Sequence, residues 1–365
     1  MSLESGSVSY RMFYTKPTPP QGVIDRFAAH ALPPINTLGT EIITGWVTGR
    51  HLLDRYITED SAIVAGYLRL TLAKAERKIP PALLKAECKM EELAELQARG
   101  IAFLKRTEKS EIKKQVTERL LPDMPPTLTG IDFVCEQDGD ILYATATSDK
   151  QIDALTLSFR QTTGVDIIPV TPLTLAAKER KTDLRDLTPT SFSPDLEDDT
   201  AENLVGRDFL TWLWYFSEAC GGLATLDVGE IAVAIEGPLS FIYEGNGAHE
   251  TVLRNGMPIV SAEAKTALTS GKKLKRAKVT FAHGEDTWTL TLDADEFICR
   301  SVQLPKGENL DAASKFQDRV LAMETLRQVI TGFYNRFLDE RLNPQEWKGI
   351  RADIHKWVSS RKARV

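Results

Sequence analysis

From Pro80-Pro81 to Pro122 the chain reads as helix and little else, and this stretch limits the folds open to it. Ala82 to Arg99 has a helical composition, with Leu83, Ala86, Met90, Leu93 and Leu96 at spacings of three and four. On a helix these make one thin apolar stripe, too narrow to serve as the core of a domain. Gly100 breaks or kinks this helix. A second starts near Thr107 or Ser110, either of which could cap it, and stops at Pro122. The sequence reading is a helical projection over about 77–122.

The body reads as strands and helices in turn. Val8 to Tyr14 is a strand ended by Pro17, Pro19 and Pro20; Gln21 to Ala31 is a short helix; Ile42 to Val47 and Ala62 to Leu72 are strands. Thr127 to Thr147 holds two strands about an Asp138-Gly139 turn, followed by a helix over Asp149 to Gly164 and a strand over Val165 to Val170. Asp183 to Glu202, with seven acidic residues and one basic, plus Pro189 and Pro194, reads as a solvated linker or surface loop. Beyond it come a helix over Gly206 to Cys220 and a hairpin near Ile231 to Tyr243, with Gly237-Pro238 and Gly245-Asn246-Gly247 as turns. A helix over Ser261 to Ser270 and strands over Ala277 to Ala282 and Thr287 to Leu292 follow. A long helix over Asp311 to Leu342 has Phe316, Val320, Met323, Ile330, Phe333 and Phe337 on one stripe. The expected class is α+β: a mixed sheet-containing central domain (1–76 and 123–175), the helical projection (77–122), an acidic linker (176–204), and a C-terminal α+β domain (205–365) ending in the long helix. A length of 365 residues fits two or three domains.

Composition narrows the class of function. Hydrophobic residues at 42% and charged residues at 26% suit a globular protein in water. The densest apolar run, Phe209 to Phe216, is far shorter than the roughly 18 residues of a membrane span. The N-terminus lacks the basic-then-apolar layout of a secretion signal. Cys88, Cys135, Cys220 and Cys299 lie far apart and form no CxxC pair, which fits reduced thiols in the cytoplasm. The five histidines are scattered, and no phosphate-cradling, nucleophile-elbow or dinucleotide motif occurs, so no cofactor, metal or catalytic residue is expected. The enzyme rival is a Mg²⁺-dependent nuclease using Asp293, Asp295 and Glu296, although side chains so close on a strand alternate in direction. Glu263-Ala264-Lys265 resembles half of a nuclease motif, but the nearest Pro-Asp, Pro194-Asp195, lies in the acidic linker.

The formal net charge of −6 argues weakly against a nucleic-acid ligand, so the local distribution of charge decides. Arg99 to Arg119 carries seven basic residues against three Glu, with Lys105, Lys109 and Lys113 on one helix face. This is either a row of phosphate contacts or a solvated helix surface. Lys272, Lys273, Lys275, Arg276 and Lys278 put five cations in seven residues, expected at a strand entrance. The tail adds Lys348, Arg351, Lys356, Arg361, Lys362 and Arg364; Trp347 and Trp357 among them read as anchors packing the tail onto the body rather than as stacking platforms for a single strand.

In order along the chain, Gly45-Trp46-Val47, Lys74 to Lys85 (KAERKIPPALLK), Leu104 to Pro122 (LKRTEKSEIKKQVTERLLP), Gly130-Ile131-Asp132 and Val165 to Pro172 (VDIIPVTP) resemble the recombination-associated RdgC family. Leu104 to Pro122 is the most specific, similar to that family's LKKTEK…LLP segment. Val252-Leu253-Arg254 and Val279 to Leu304 fit more loosely. The resemblance implies a ring-shaped homodimer that encircles double-stranded DNA with little sequence preference. It also implies a functional link to the RecA recombinase in homologous recombination and a place in the cytoplasm at the nucleoid. Single-stranded DNA is a second ligand to consider. The family's exonuclease label finds no matching metal site in this sequence. Two departures stand out. Between Pro122 and Ile131 the family has a longer loop whose arginines and phenylalanines wedge or bend DNA, a role this chain cannot take from it. After Arg254 the family's lysine pair is replaced by Asn255-Gly256.

The expected phosphate contacts are therefore Lys105, Arg106, Lys109, Lys113, Lys114, Arg119, Arg254, Lys272, Lys273, Lys275, Arg276 and Lys278. The rivals are the nuclease above and a protein-interaction scaffold built on the long C-terminal helix.

Overall fold

The structure is a computed structural model that describes residues 3–15, 22–136, 139–196, 204–243, 249–256, 261–307 and 311–360. Pro17, Pro19, Pro20, Gln21, Asp138, Gly245 to Gly247, Arg361, Lys362 and Arg364 lie outside the described residues, as does the acidic segment beyond Leu196.

In chain order the first half runs β1 (Val8–Tyr14), α1 (Val23–Ala29), β2 (Ile43–Thr48), α2 (Glu59–Ala62), β3 (Ile63–Val64), β4 (Tyr67–Arg77), α3 (Pro81–Arg99) and α4 (Arg106–Leu120). It continues with β5 (Pro126–Glu136), β6 (Ile141–Ala144), α5 (Asp149–Thr163), β7 (Ile168–Pro169) and α6 (Pro172–Arg180). The second half runs α7 (Val205–Ala219), β8 (Leu223–Leu226), β9 (Gly229–Tyr243), β10 (His249–Leu253), α8 (Ala262–Thr269), β11 (Lys273–His283), β12 (Asp286–Asp293), β13 (Ile298–Gln303), α9 (Ala312–Arg341) and α10 (Pro344–Ser359). The α+β class holds.

The strands join in one antiparallel path, β10-β9-β11-β12-β13-β1-β6-β5-β4-β2, with β3 on β4, β7 on β1 and β8 on β9. β1 ties the halves together: Tyr10 pairs with Cys299 of β13, and Met12 with Tyr143 of β6. The larger core lies where α7, α9 and α10 cover β9 and β11 to β13, and it also takes in Tyr10, Met12, Val134 and Tyr143 from the first half. A smaller core packs α1 and α5 on β2, β4, β5 and β6 around Phe27, Trp46, Phe133 and Phe159.

α7 is buried nearly all round, with Phe209, Leu210, Trp212, Leu213 and Trp214 inside, which explains the densest apolar run in the sequence. It approaches the turn after β12 so closely that a Cβ on Gly206 would lie 1.9 Å from the Ala294 carbonyl oxygen. The stripe predicted on the long helix is buried as expected on α9. Trp347 and Trp357 of α10 are buried and donate to Thr190 Oγ1 (3.3 Å) and Glu218 Oε2 (3.1 Å), so the tail is anchored to the body.

Four expectations need correcting. Ala62 to Leu72 is two strands, because Ala65 and Gly66 at φ 51° and 85° turn the chain between β3 and β4. The segment 231–243 is one continuous strand, β9, because it has partners on both sides, β10 at one end and β11 along its length. Only Ile168–Pro169 of the segment 165–170 is extended, against the end of β1. The linker is not solvated throughout its described part: Asp183, Arg185, Asp186, Pro194 and Asp195 are exposed, but Leu184, Thr190, Ser191, Phe192 and Ser193 are buried, and Ser193 Oγ donates to the Thr269 carbonyl at 2.6 Å. Its acidic composition concealed the short uncharged run that packs between α8 and α10.

Candidate nucleic-acid interface

β4 and β5 pair from Tyr67↔Glu136 out to Arg77↔Pro126, and the first residues of β5 are largely exposed. This ribbon runs beyond the core and carries α3 and α4 at its end. No residue of α3 is buried, and Val116 alone is buried on α4, so the two helices form a projecting hairpin as the sequence predicts. Gly100, left-handed at φ 61°, closes α3, and Arg77 holds the base by donating to the Met124 carbonyl. α4 begins at Arg106, one residue before the earliest start expected. Its cap is neither Thr107 nor Ser110: Lys105 is the N-cap, and its backbone N–H donates to the Glu108 carboxylate at 2.7 Å.

α3 turns Leu84, Glu87, Cys88, Glu91, Glu92 and Leu96 toward partial shelter, so of the predicted stripe Leu83, Ala86, Met90 and Leu93 face outward and Leu96 does not. Ion pairs bridge the two helices instead. Arg119 reaches Glu87 (3.0 Å) and Glu91 (2.9 Å), Lys109 sits 3.9 Å from Glu92, and Arg99 meets Glu108 at 2.7 Å. Six expected phosphate contacts thus divide. Arg119 and Lys109 engage carboxylates of α3, whereas Lys105, Arg106, Lys113 and Lys114 are exposed and make no ion pair among the described residues. Lys105, Lys109 and Lys113 rise about 6 Å per step along the helix, a row suited to following a phosphate backbone.

The second cluster lies at the entrance of β11, with Lys272 just before it and the other four in its first six residues, and those four are occupied by carboxylates. Lys273 is buried with its ammonium 2.6 Å from Asp208, so it is withdrawn from the expected phosphate contacts. Lys275 meets Asp295 at 3.0 Å, Arg276 meets Asp293 at 2.6 Å and Lys278 meets Glu236 at 2.7 Å. The last two are directly opposed cross-strand pairs, Arg276↔Asp293 and Lys278↔Glu236. Lys272 donates to the Thr251 hydroxyl, and Arg254 is exposed just past β10. Five strand-to-strand steps along the sheet separate β11 from β5, the strand that follows the hairpin.

The carboxylates of the nuclease rival are held by the same seam of charge. Arg207, brought over the turn by the close seating of α7, donates to both oxygens of Asp295 at 2.7 Å. Asp293 binds Arg276, and Glu296 binds Arg11. Among the described residues no group of three or more His, Cys, Asp or Glu is placed to hold a metal ion. Burial pushes the Asp295 carboxyl up, but Arg207 and Lys275 outweigh it and hold the group below its ordinary 3.8. A carboxyl depressed in the folded state stabilises above its unfolded pKa, and that contribution is lost as pH falls through the folded value. Asp295→Asn is therefore expected to unfold with a shallower pH dependence than wild type below about pH 4. Chemical denaturation across that window checks this; identical slopes would show that Asp295 gains nothing from its pairs.

The sequence reading did not single out Arg207, the counter-charge of Asp295, because 88 residues separate them. It also passed over Phe103 at the hairpin tip, whose one signal was being the sole aromatic residue from Pro81 to Leu120. The model of the family described as "Putative exonuclease, RdgC" matches residues 8–184, which include the hairpin and the ribbon that bears it. No curated protein matches the chain.

Proposed function

Because residues 8–184 carry an RdgC family domain, we propose that this chain is a non-sequence-specific DNA-binding protein that grips duplex phosphates with the hairpin. The observation that carries this is the exposed set Lys105, Arg106, Lys113 and Lys114 on a helix that projects from the body and spends its other cations on α3. Cations on one helix face position a duplex without reading its bases, so little sequence preference follows. An acidic chain can bind DNA in this way because the favourable charge is local.

The working form we propose is a homodimer that encircles duplex DNA and modulates RecA-dependent recombination at the nucleoid. The outward stripe of Leu83, Ala86, Met90 and Leu93 supports a dimer, since it is apolar surface that a second copy would cover. In this reading Arg254, Lys272, Lys275, Arg276 and Lys278 are auxiliary contacts that DNA would have to draw from their present partners. The protein has no catalytic role in this reading.

Fluorescence anisotropy with duplex oligonucleotides of two unrelated sequences tests it. The expected result is equal affinity for both and a linear fall of log K with log salt, at a slope near −0.9 per phosphate neutralised. Binding indifferent to salt, or none at low salt, would overturn the reading in favour of a protein-interaction scaffold.

A further inference from the structure

Phe103 is the sole aromatic residue between Pro81 and Leu120, and it is 76% exposed. It stands in the turn joining α3 to α4, at the far end of the hairpin from the body. The turn is braced on both sides. The Ile101 N–H donates to the Leu96 carbonyl at 3.2 Å, and the Lys105 N–H donates to Glu108 at 2.7 Å. Next to Phe103, Leu104 is buried, so the turn takes one apolar side chain in and holds the other out. No acidic residue occurs from Leu96 to Thr107, while Arg99, Lys105 and Arg106 do. Arg99 is paired with Glu95 and Glu108, while Lys105 and Arg106 make no ion pair among the described residues, so two cations without a counter-charge stand beside Phe103.

We propose that Phe103 is a stacking platform for an unpaired base, with Lys105 and Arg106 taking the phosphates beside it, so that the hairpin tip binds single-stranded DNA. An exposed ring beside cations offers both halves of such a site: a face for any base and charge for the backbone. In an intact duplex the base faces are covered by their neighbours, so the ring adds nothing there. The inference rests on the proposed function and assigns a distinct ligand to the end of the same hairpin.

The test uses the full chain as wild type, Phe103→Ala and Phe103→Trp, titrated against a labelled oligothymidine and a labelled duplex of equal length. The oligomeric state is measured alongside by analytical ultracentrifugation. Phe103→Ala is expected to lose about 5- to 150-fold in affinity for the oligothymidine, the loss of one stacked base, and Phe103→Trp to keep it. Duplex affinity and oligomeric state stay as in wild type. Unchanged oligothymidine binding by Phe103→Ala overturns the inference and leaves the proposed function standing. A change in oligomeric state on losing the ring also overturns it, since the ring would then belong to a contact between copies. Wild type that binds neither nucleic acid overturns the proposed function itself, and this inference with it.

Discussion

Replacing Lys105, Arg106, Lys113 and Lys114 together by alanine is expected to flatten the salt dependence of duplex binding by about 3.6 in slope per protomer, at about 0.9 for each phosphate no longer neutralised. Between 50 and 200 mM salt that amounts to a factor of about 150 in affinity that the variant, unlike wild type, retains. The four side chains are exposed and outside the ion pairs that join α3 to α4, so the thermal midpoint should hold. Arg119→Ala makes the contrast: it removes the pairs to Glu87 and Glu91 and loosens the hairpin as well as removing a charge. Anisotropy titrations at four or more salt concentrations give the slopes directly. If the quadruple variant keeps the wild-type slope, α4 is a solvated surface and the grip lies elsewhere on the molecule.

Asp208→Ala is expected to be among the most damaging single changes in the chain, at about 3–5 kcal/mol, because it removes the carboxylate paired with the buried Lys273 ammonium. Asp208 and Lys273 are both buried, with the ions 2.6 Å apart, beneath α7 and at the start of β11. Burying a pair is costly in itself, so removing both charges is a different experiment from removing one. The double variant Asp208→Leu/Lys273→Met is expected to fall within about 1 kcal/mol of wild type or to be more stable. Urea unfolding of the three proteins checks this. An Asp208→Ala loss below about 1 kcal/mol would mean that water or another group reaches Lys273. The pair bears on function too. The double variant should bind DNA with the wild-type salt slope, since a lysine held inside the fold releases no counterion.

The helical projection was legible because prolines, a left-handed glycine and helical spacing all act locally, and so was the anchoring of the tail by its tryptophans. The orientation of the hairpin was not. The spacing of Leu83, Ala86, Met90, Leu93 and Leu96 gives a stripe but not its direction; its first four residues lie outward, because the ion pairs of Glu87, Glu91 and Glu92 with α4 decide which side of α3 meets its neighbour. Those pairs depend on how two helices face each other, which spacing within one helix does not specify.

The basic run at Lys272 to Lys278 shows the same division more sharply. By itself the sequence determined that five cations crowd seven residues with no acid among them. Only the tertiary structure decided that Asp208, Glu236, Asp293 and Asp295 converge on four of them from α7, β9 and the end of β12. Charge density along a chain is a local property; whether it is available to a ligand depends on which distant carboxylates the sheet brings alongside. On α4, Lys105, Arg106, Lys113 and Lys114 stay exposed and outside the ion pairs among the described residues, because a helix projecting from the body has few neighbours to supply a counter-charge.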